Sequence, residues 1–271
     1  MRPPQWETSG SSRVSLRLTF LGTGTSHGVP VIGCDCPVCT SRDPHNNRMR
    51  ASVHVEWDGV SYLIDTATEL RLQAIRADLR HIDCILFTHS HADHIFGLDD
   101  VRRFNDIQQS VIPCYGAEQT LATIRRQFSY IFEPTLYRGA KPRLLATPVS
   151  PGVPLRQNGH AVLPVPVTHG NATILGYRFG PLAYVTDCSD LPDSSAEMLH
   201  GVDTLVINAL RDRPHPTHFS IAEALQAIER IGPRRAYLTH MCHEVDHDST
   251  NRRLPAGVEL AYDTLALEVE T

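Results

Sequence analysis

Three histidines and an aspartate fall within six residues, at His89, His91, Asp93 and His94, directly after the apolar run Cys84–Thr88. Residues two apart on an extended chain point to the same side, so the first two histidines can offer imidazoles to one cation. The aspartate and the third histidine then face a second cation. These ligand types suit zinc, manganese or iron and leave coordination positions open for water or substrate. The alternative is a polar loop that is merely rich in histidine.

Three later strand-like runs also end in a histidine or an aspartate, as the other ligands of such a site should. Val162–Val167 precedes His169, Leu182–Val185 precedes Asp187, and Ala236–Leu238 precedes His240. A single such residue is more often an ordinary polar strand end, but the recurrence favours a site with two metals. The predicted ligands are His89, His91 and His169 for the first cation, Asp93, His94 and His240 for the second, and Asp187 as the bridge.

A second cluster places three thiols within six residues, at Cys34, Cys36 and Cys39. So short a loop does not favour disulfides, and the spacing predicts three ligands of a tetrahedral structural zinc. Cys242 and His243 are both candidates for the fourth ligand, and the residues alone do not decide between them. The alternative is three reduced cysteines in a mobile loop. The remaining cysteines, Cys84, Cys114 and Cys188, are expected to be small buried apolar residues.

Composition fits an intracellular enzyme. The chain has 271 residues, of which 41% are hydrophobic and 20% charged, enough for a sizeable core. We expect one domain over residues 13–271 and a disordered leader over Met1–Ser12. There is no apolar stretch of the roughly 20 residues needed to span a membrane and no signal-peptide core, and metal-type cysteines favour a reducing compartment, so the cytoplasm is the expected location. A net charge of −5 makes nucleic acid an unexpected partner. The oligomeric state stays open, a homodimer included.

Other catalytic motifs are absent from the sequence. Gly22 and Gly24 begin a dinucleotide fingerprint, but the third glycine should stand where His27 does. Phosphate-binding P-loops and the nucleophile elbow of α/β-hydrolases are also missing. We therefore expect the two glycines to form a tight turn near the metals.

The ligand pattern resembles the metallo-β-lactamase superfamily, whose hallmark is an H-x-H-x-D-H loop followed by a distant His, Asp and His. The start, Leu18–Pro30, and the three cysteines resemble more narrowly the PhnP-type phosphodiesterases of carbon-phosphorus lyase pathways. The resemblance implies an α/β fold, a four-layer αββα sandwich with the metals at one edge. It also implies His243 as the last zinc ligand and His218 as a substrate-facing histidine.

The residues read by themselves agree with that fold, because short β-rich runs alternate with helical patterns. The predicted strands are Leu16–Leu21, Ser52–Trp57, Ser61–Ile64 and Ile82–Thr88, and the predicted helices include Thr66–Leu79 and Ser220–Ile231. Asp65 closes one strand and is expected either to accept from a ligand imidazole or to cap the following helix. His218 has an alternative too, as the turn before the helix at Ser220.

The expected activity is that of a dinuclear phosphodiesterase, with two Mn²⁺ or Zn²⁺ in the catalytic site and one structural Zn²⁺. Two cations about 3.5–4 Å apart can activate a water and clamp phosphodiester oxygens, with Asp93, Asp187 and His218 as the catalytic residues. Gly97–Asn105 is more acidic and arginine-rich than the resemblance leads us to expect, which leaves the substrate open. Aromatics in the predicted helix and lip Ile124–Phe132 either stack a base or ribose or pack in the core.

The predicted partner is therefore a small phosphodiester, such as a cyclic ribose phosphate or a 2′,3′-cyclic nucleotide. A tRNA 3′-end endonuclease and a lactone or thioester hydrolase are alternatives that use the same metals. A noncatalytic metal-binding protein is the third class.

Overall fold

The computed structural model describes residues 15–134 and 140–270, so the predicted leader Met1–Ser12 lies outside the described residues. The first sheet contains β1 (Leu16–Gly22), β2 (Ser52–Trp57), β3 (Val60–Ile64), β4 (Cys84–Leu86), β5 (Ile112–Gly116) and β6 (Leu144–Pro148). The second contains β7 (Leu155–Gln157), β8 (His160–His169), β9 (Ala172–Phe179), β10 (Leu182–Val185), β11 (Thr204–Asn208), β12 (Arg235–Thr239) and β13 (Val258–Leu260), and β14 (Ala266–Val269) returns to the first sheet.

The two sheets mirror each other in layout. Their strand orders are β14-β1-β2-β3-β4-β5-β6 and β13-β12-β11-β10-β9-β8-β7. In each, one half is antiparallel and the other half parallel, the parallel strands being β3–β6 and β10–β13. Parallel strands bring their carboxyl ends to one edge, which is where ligands gather in α/β sheets.

Helices connect and cover the strands. They are α1 (Leu70–Arg76), α2 (Ala92–Ile95), α3 (Arg102–Gln108), α4 (Glu118–Gln127), α5 (Ser129–Phe132), α6 (Asp193–Leu199), α7 (Ile221–Ile231) and α8 (His247–Asn251), with 3₁₀ turns at Pro44–Asn46 and Leu98–Val101. Among the described residues, no helix is long and apolar enough to cross a bilayer.

Three buried hydrophobic layers hold these elements together. The middle layer fills the space between the sheets, with Phe20, Tyr177 and Phe179 among its residues. A second layer packs α1 and α4 on the outer face of the first sheet, and a third packs α6 and α7 on the outer face of the second. Burial of both sheet faces is what stabilises this arrangement. The predicted four-layer αββα sandwich is confirmed.

Several element boundaries follow the sequence. Strands β2 and β10 occupy the predicted ranges, and the three cysteines predicted to be buried are all fully buried. Helix α7 begins one residue later than predicted, at Ile221, because Ser220 is its cap: the Ser220 side chain accepts from Glu223 N, and Glu223 accepts from Ser220 N at 2.7 Å.

Three predicted boundaries were wrong. The helix predicted over Thr66–Leu79 covers only Leu70–Arg76, because the Thr66 carbonyl, which would accept from Leu70 N in a helix, accepts from Gly97 N at 2.9 Å instead, and Asp78 has a φ of +49°. The strand predicted over Ile82–Thr88 pairs only over Cys84–Leu86. The helix predicted over Ile124–Phe132 is broken at Phe128, whose φ of −114° and ψ of 41° separate α4 from α5.

Candidate metal centre

The segment after β4 presents the first group of metal-ligand atoms. Donor atoms of His89, His91, His169 and Asp187 lie within 4.8 Å of one another. His91 Nδ1 is 3.0 Å from His89 Nε2 and 3.3 Å from His169 Nε2, and Asp187 Oδ2 is 3.5 Å from His89 Nε2. Ligands 2.0–2.2 Å from one cation, at 90–110° to each other, are about 2.8–3.6 Å apart. The spacing therefore fits one cation.

The second group lies on the other side of Asp187 and includes Asp93, His94 and His240, all buried. His94 Nε2 is 3.3 Å from Asp93 Oδ2 and also 3.3 Å from Asp187 Oδ2. His240 Nε2 is 3.2 Å from Asp187 Oδ1. The structure thus brings together the residues predicted for each cation, with Asp187 in both groups.

The imidazoles of His94 and His240 each have a nitrogen close to carboxylate oxygens but form no hydrogen bond with them. His94 Nε2 and His240 Nε2 are buried and have no hydrogen-bond partner among the described residues, although carboxylate oxygens lie 3.2–3.3 Å away. Buried polar atoms are rarely left unpaired. These short distances are explained if the nitrogen and oxygen lone pairs all point to one centre between them, where a cation would bind. The residues present therefore fit a metal.

Three polar residues of the site lie just after the ends of strands. Asp65 follows β3 directly, His240 follows β12 directly, and Asp187 stands two residues after β10. All three have left-handed backbone, with φ values of 61°, 60° and 61° respectively. Such values are uncommon outside glycine and cost about 1–3 kcal/mol each where the surrounding structure maintains them. The sharp turn they produce lets each side chain enter the site.

Asp65 resolves one alternative left open by the sequence. Its carboxylate accepts from His94 Nδ1 at 2.7 Å, from Thr88 N at 2.8 Å and from Thr88 Oγ1 at 2.7 Å. It does not cap α1, which begins at Leu70. Thr88 Oγ1 in turn lies 3.0 Å from His89 Nδ1. One buried carboxylate therefore orients a histidine of each group, and it leaves both Nε2 lone pairs free.

The two central carboxylates are held ionised. Burial alone would raise the pKa of Asp187, but His240 and His94 lower it well below its usual range. Burial also opposes ionisation of Asp93, and His94 and His240 again override it, so the pKa of Asp93 is lowered. Ionised carboxylates are the form that binds cations.

Two of the histidines are held neutral by burial. Burial lowers the pKa of His89 well below its usual value and also lowers the pKa of His169. His94 differs, because Asp187 and Asp65 outweigh its burial and raise its pKa well above the usual value. A cation placed among these carboxylates would compete with that proton.

An open cavity of about 370 Å³ lies over the two groups. Its lining residues are Ser26, His91, Ala92, Asp93, His169, Asp187, Thr217, His218 and His240. His218 Nε2 is 3.4 Å from Asp187 Oδ2, and its ring stacks on His240 with centroids 4.9 Å apart. His218 therefore faces the cavity, and it also stands two residues before the cap of α7. Ser26 and Thr217 carry no signal in the sequence that would have found them.

The glycine turn predicted near the metals lies beside His240. Met241 N donates to Thr23 O at 2.9 Å, and Thr25 N donates to Met241 O at 3.2 Å. A Cβ on Gly22 would meet Arg50 O at 2.1 Å, so only glycine fits this approach.

The cysteine cluster meets the loop that follows His240. Donor atoms of Cys34, Cys36, Cys39 and His243 lie within 4.8 Å of one another. The three sulfur atoms are 3.2, 3.5 and 3.5 Å from His243 Nδ1, against about 3.6 Å for sulfur and nitrogen ligands of a tetrahedral zinc. Cys242 is buried instead and accepts from Glu244 N at 3.4 Å. The geometry thus favours His243 over Cys242.

The aromatics of Ile124–Phe132 lie outside the cavity lining. Phe128 is half-buried and packs edge-on against Phe96, with centroids 6.1 Å apart. Tyr130 is exposed, and its hydroxyl donates to Asp99 at 2.6 Å.

Comparisons with known proteins agree with this geometry. Residues 61–241 match the family model described as a beta-lactamase superfamily domain. A solved diphosphatase from the PhnP family is 45% identical, with a TM-score of 0.88 over 94% of this chain and 97% of that chain. Zinc-bound PqqB from Methylobacterium extorquens shares the fold at 17% identity, with a TM-score of 0.77 over 93% of this chain and 100% of that chain.

A curated relative, an octanoyltransferase of Porphyromonas gingivalis, is 36% identical over 253 residues. The match covers 92% of this chain but 51% of that protein, so the chain spans about half the length of this relative. The chain belongs to the metallo-β-lactamase superfamily of hydrolases and, at 45% identity over nearly the whole of both chains, to the PhnP family within it.

Proposed function

We propose that this protein is a dinuclear metal-dependent phosphodiesterase that acts on small, cyclic phosphate esters of the ribose cyclic phosphate or 2′,3′-cyclic nucleotide type. The observation that carries the proposal is the shared carboxylate of Asp187. Its Oδ2 lies within 3.5 Å of His89, His94 and His218, directly below the open cavity. Similarity to a diphosphatase supports phosphorus as the site of attack.

The His and Asp groups would hold two Zn²⁺ or Mn²⁺ ions, since both metals accept imidazole and carboxylate ligands. Bound there, such cations would lower the pKa of bound water and offset charge that develops on phosphorus oxygens. Asp187 and Asp93 would supply the negative charge that offsets the charge of the two cations. His91 is the one exposed residue of the two His and Asp groups, so a cation held by His89, His91 and His169 would be accessible from the cavity.

His218 is placed to act on the leaving oxygen. Its Nε2 faces the cavity beside Asp187, and its side chain is 13% exposed. Burial lowers its pKa, so the ring alone is neutral at pH 7, whereas the negative charge of a phosphate ester beside it favours the protonated form. His218 can therefore hydrogen-bond the phosphate and then give a proton to the leaving alkoxide.

The cysteine group would hold a structural zinc, because thiolates favour zinc over manganese. Such a zinc would join residues 34–39 to the loop after His240 and contribute to the free energy of folding. All seven cysteines of the chain are free. Thiols of this kind persist in reducing compartments, so we propose a cytoplasmic location.

Metal content and substrate range, measured on the same purified protein, test the proposal. Elemental analysis should find one cation for each of the three donor groups. Bis-p-nitrophenyl phosphate and 2′,3′-cyclic nucleotides should be hydrolysed, while a lactone, an octanoyl thioester and a precursor tRNA with a 3′ trailer should not. The Asp187→Ala variant serves as the inactive control. Turnover of the thioester or lactone alone would discard the substrate class, and trailer cleavage alone would indicate an endonuclease.

A further inference from the structure

Thr217 contacts two histidines of the site through two different atoms. It lies in the loop between β11 and α7 and lines the cavity. Its backbone oxygen is 2.7 Å from His169 Nδ1, and its hydroxyl is 2.8 Å from His218 Nδ1. Each contact restricts where the neighbouring ring carries its proton.

The contact with His169 has only one possible direction. A carbonyl oxygen accepts and cannot donate, so the hydrogen of the His169 ring must be on Nδ1. Its Nε2 then presents a lone pair, and this atom is the one that lies 3.3 Å from His91 Nδ1 in the first donor group. The Thr217 carbonyl therefore fixes His169 in the tautomer that a cation requires.

The contact with His218 has the opposite consequence. His218 Nε2 is 3.4 Å from Asp187 Oδ2, and an ionised carboxylate only accepts, so Nε2 carries the hydrogen. In a neutral ring Nδ1 must then accept. His215 Nδ1, 3.2 Å away, accepts from Thr217 N at 3.4 Å and so offers no hydrogen. The Thr217 hydroxyl is the remaining donor. It also lies 3.2 Å from His215 Nδ1, but its contact with His218 Nδ1 is the shorter one, at 2.8 Å, and His215 Nδ1 already accepts from Thr217 N.

The side chain of Thr217 is held in this orientation by Gly170. A Cβ on Gly170 would lie 2.9 Å from Thr217 Cγ2, so the methyl group packs directly over the glycine. A β-branched residue has few χ1 choices. With the methyl group fixed there, the hydroxyl stays directed at His218.

We infer that Thr217 is a positioning residue that sets opposite tautomers on two site histidines, His169 through its carbonyl and His218 through its hydroxyl. His169 is kept ready to bind a cation, and His218 is kept with its Nε2 hydrogen directed into the cavity. The effect on turnover rests on the proposed function, whereas the tautomers do not.

The test compares Thr217→Val, which keeps the carbonyl and the steric bulk but loses the hydroxyl, with Thr217→Ser, which keeps both polar atoms. Zinc-loaded protein labelled with ¹⁵N at histidine gives the tautomers by NMR, and the His218→Gln variant assigns the His218 signal. Thr217→Val should lose the pure Nε2–H form of His218 while retaining its cations and the His169 signal. Thr217→Ser should match the wild type.

Turnover supplies a second readout. The protonated His218 ring, which gives its Nε2 hydrogen to the leaving alkoxide, also carries a hydrogen on Nδ1, and the Thr217 hydroxyl can then accept it. Because Thr217→Val removes this acceptor, it should slow hydrolysis of a diester with an alkyl leaving group by about fivefold to tenfold, as loss of one hydrogen bond allows, and should barely affect a p-nitrophenyl ester. An unchanged His218 tautomer in Thr217→Val would overturn the inference. Loss of cations from Thr217→Val but not from Thr217→Ser would also overturn it. If the wild type hydrolyses no phosphodiester, the proposed function fails, and the NMR comparison still decides the role of Thr217.

Discussion

Replacing Asp65 by asparagine should weaken cation binding at His94 by about 10- to 100-fold. The carboxylate accepts three hydrogen bonds, and Oδ2 alone accepts from both His94 Nδ1 and Thr88 Oγ1. Asparagine has one acceptor oxygen. If that oxygen stays on Thr88 N, the amide NH₂ meets the Nδ1 hydrogen of His94. The ring then favours the tautomer with its hydrogen on Nε2, where the cation should bind.

The magnitude follows from the bond that is lost. A hydrogen bond to a charged group contributes about 1.5–3 kcal/mol, and about 1.4 kcal/mol corresponds to a factor of ten in affinity. The His89 group should weaken less, because Asp65 reaches it only through Thr88 Oγ1. The cysteine group has no contact with Asp65 and should keep its zinc.

Chelator competition, followed by elemental analysis at each chelator concentration, measures the affinity of each group. Asp263→Asn is the matched control. Asp263 is half-buried, its pKa is raised to about 6 chiefly by burial, and it accepts from Thr23 N, Thr23 Oγ1 and Met49 N at 2.8–2.9 Å. It bonds to no site histidine. Unchanged affinity in Asp65→Asn, or equal losses in both variants, would refute the role of Asp65 in orienting ligands.

The other predictions concern the shared carboxylate, the cavity histidine, the zinc loop and acid stability. Asp187→Ala should lose both cations of the His and Asp groups and all hydrolysis; two bound metals with full activity would contradict the bridge. His218→Ala should keep its metals and slow esters with poor leaving groups most, and equal slowing of good and poor leaving groups would argue against proton donation. Cys36→Ser should lose zinc and lower Tm before it affects turnover, unlike Cys242→Ser, unless no zinc is bound there. Burial lowers the pKa of His54 to about 4, against about 6.5 in the unfolded chain. As the pH falls below about 6.5, the unfolded chain binds a proton that the folded chain does not, so the free energy of unfolding decreases between about pH 6.5 and about pH 4. His54→Gln should reduce this fall in urea unfolding, and an unchanged pH profile would exclude His54 as a cause.

The convergence of the His and Asp donor atoms could be predicted because their spacing uses a regular property of the backbone. A strand fixes side-chain direction with a period of two, and parallel strands bring their ends to one edge. The same reasoning could not decide the role of Asp65. Its partners Thr88 and His94 lie 23 and 29 residues along the chain, and only the packing of β3 beside β4 brings them together.

The errors also have tertiary causes. The pattern over Thr66–Leu79 is helical, but Gly97 N donates to the Thr66 carbonyl, which a first helical turn would use to accept from Leu70 N. Thr217 gave no signal, because a threonine before a histidine in a loop has no distinctive spacing. Its importance depends on the distance between its loop and the end of β8, which no local pattern encodes.

The left-handed backbone at Asp65, Asp187 and His240 has an evolutionary consequence. Glycine and asparagine adopt this conformation at lower cost than most residues, and aspartate tolerates it better than histidine does. A descendant of this chain that no longer needed cations would gain stability by drifting toward glycine at these positions, His240 first. Retention of all three side chains in a relative is therefore a sign that selection still maintains the site against the preference of its own backbone.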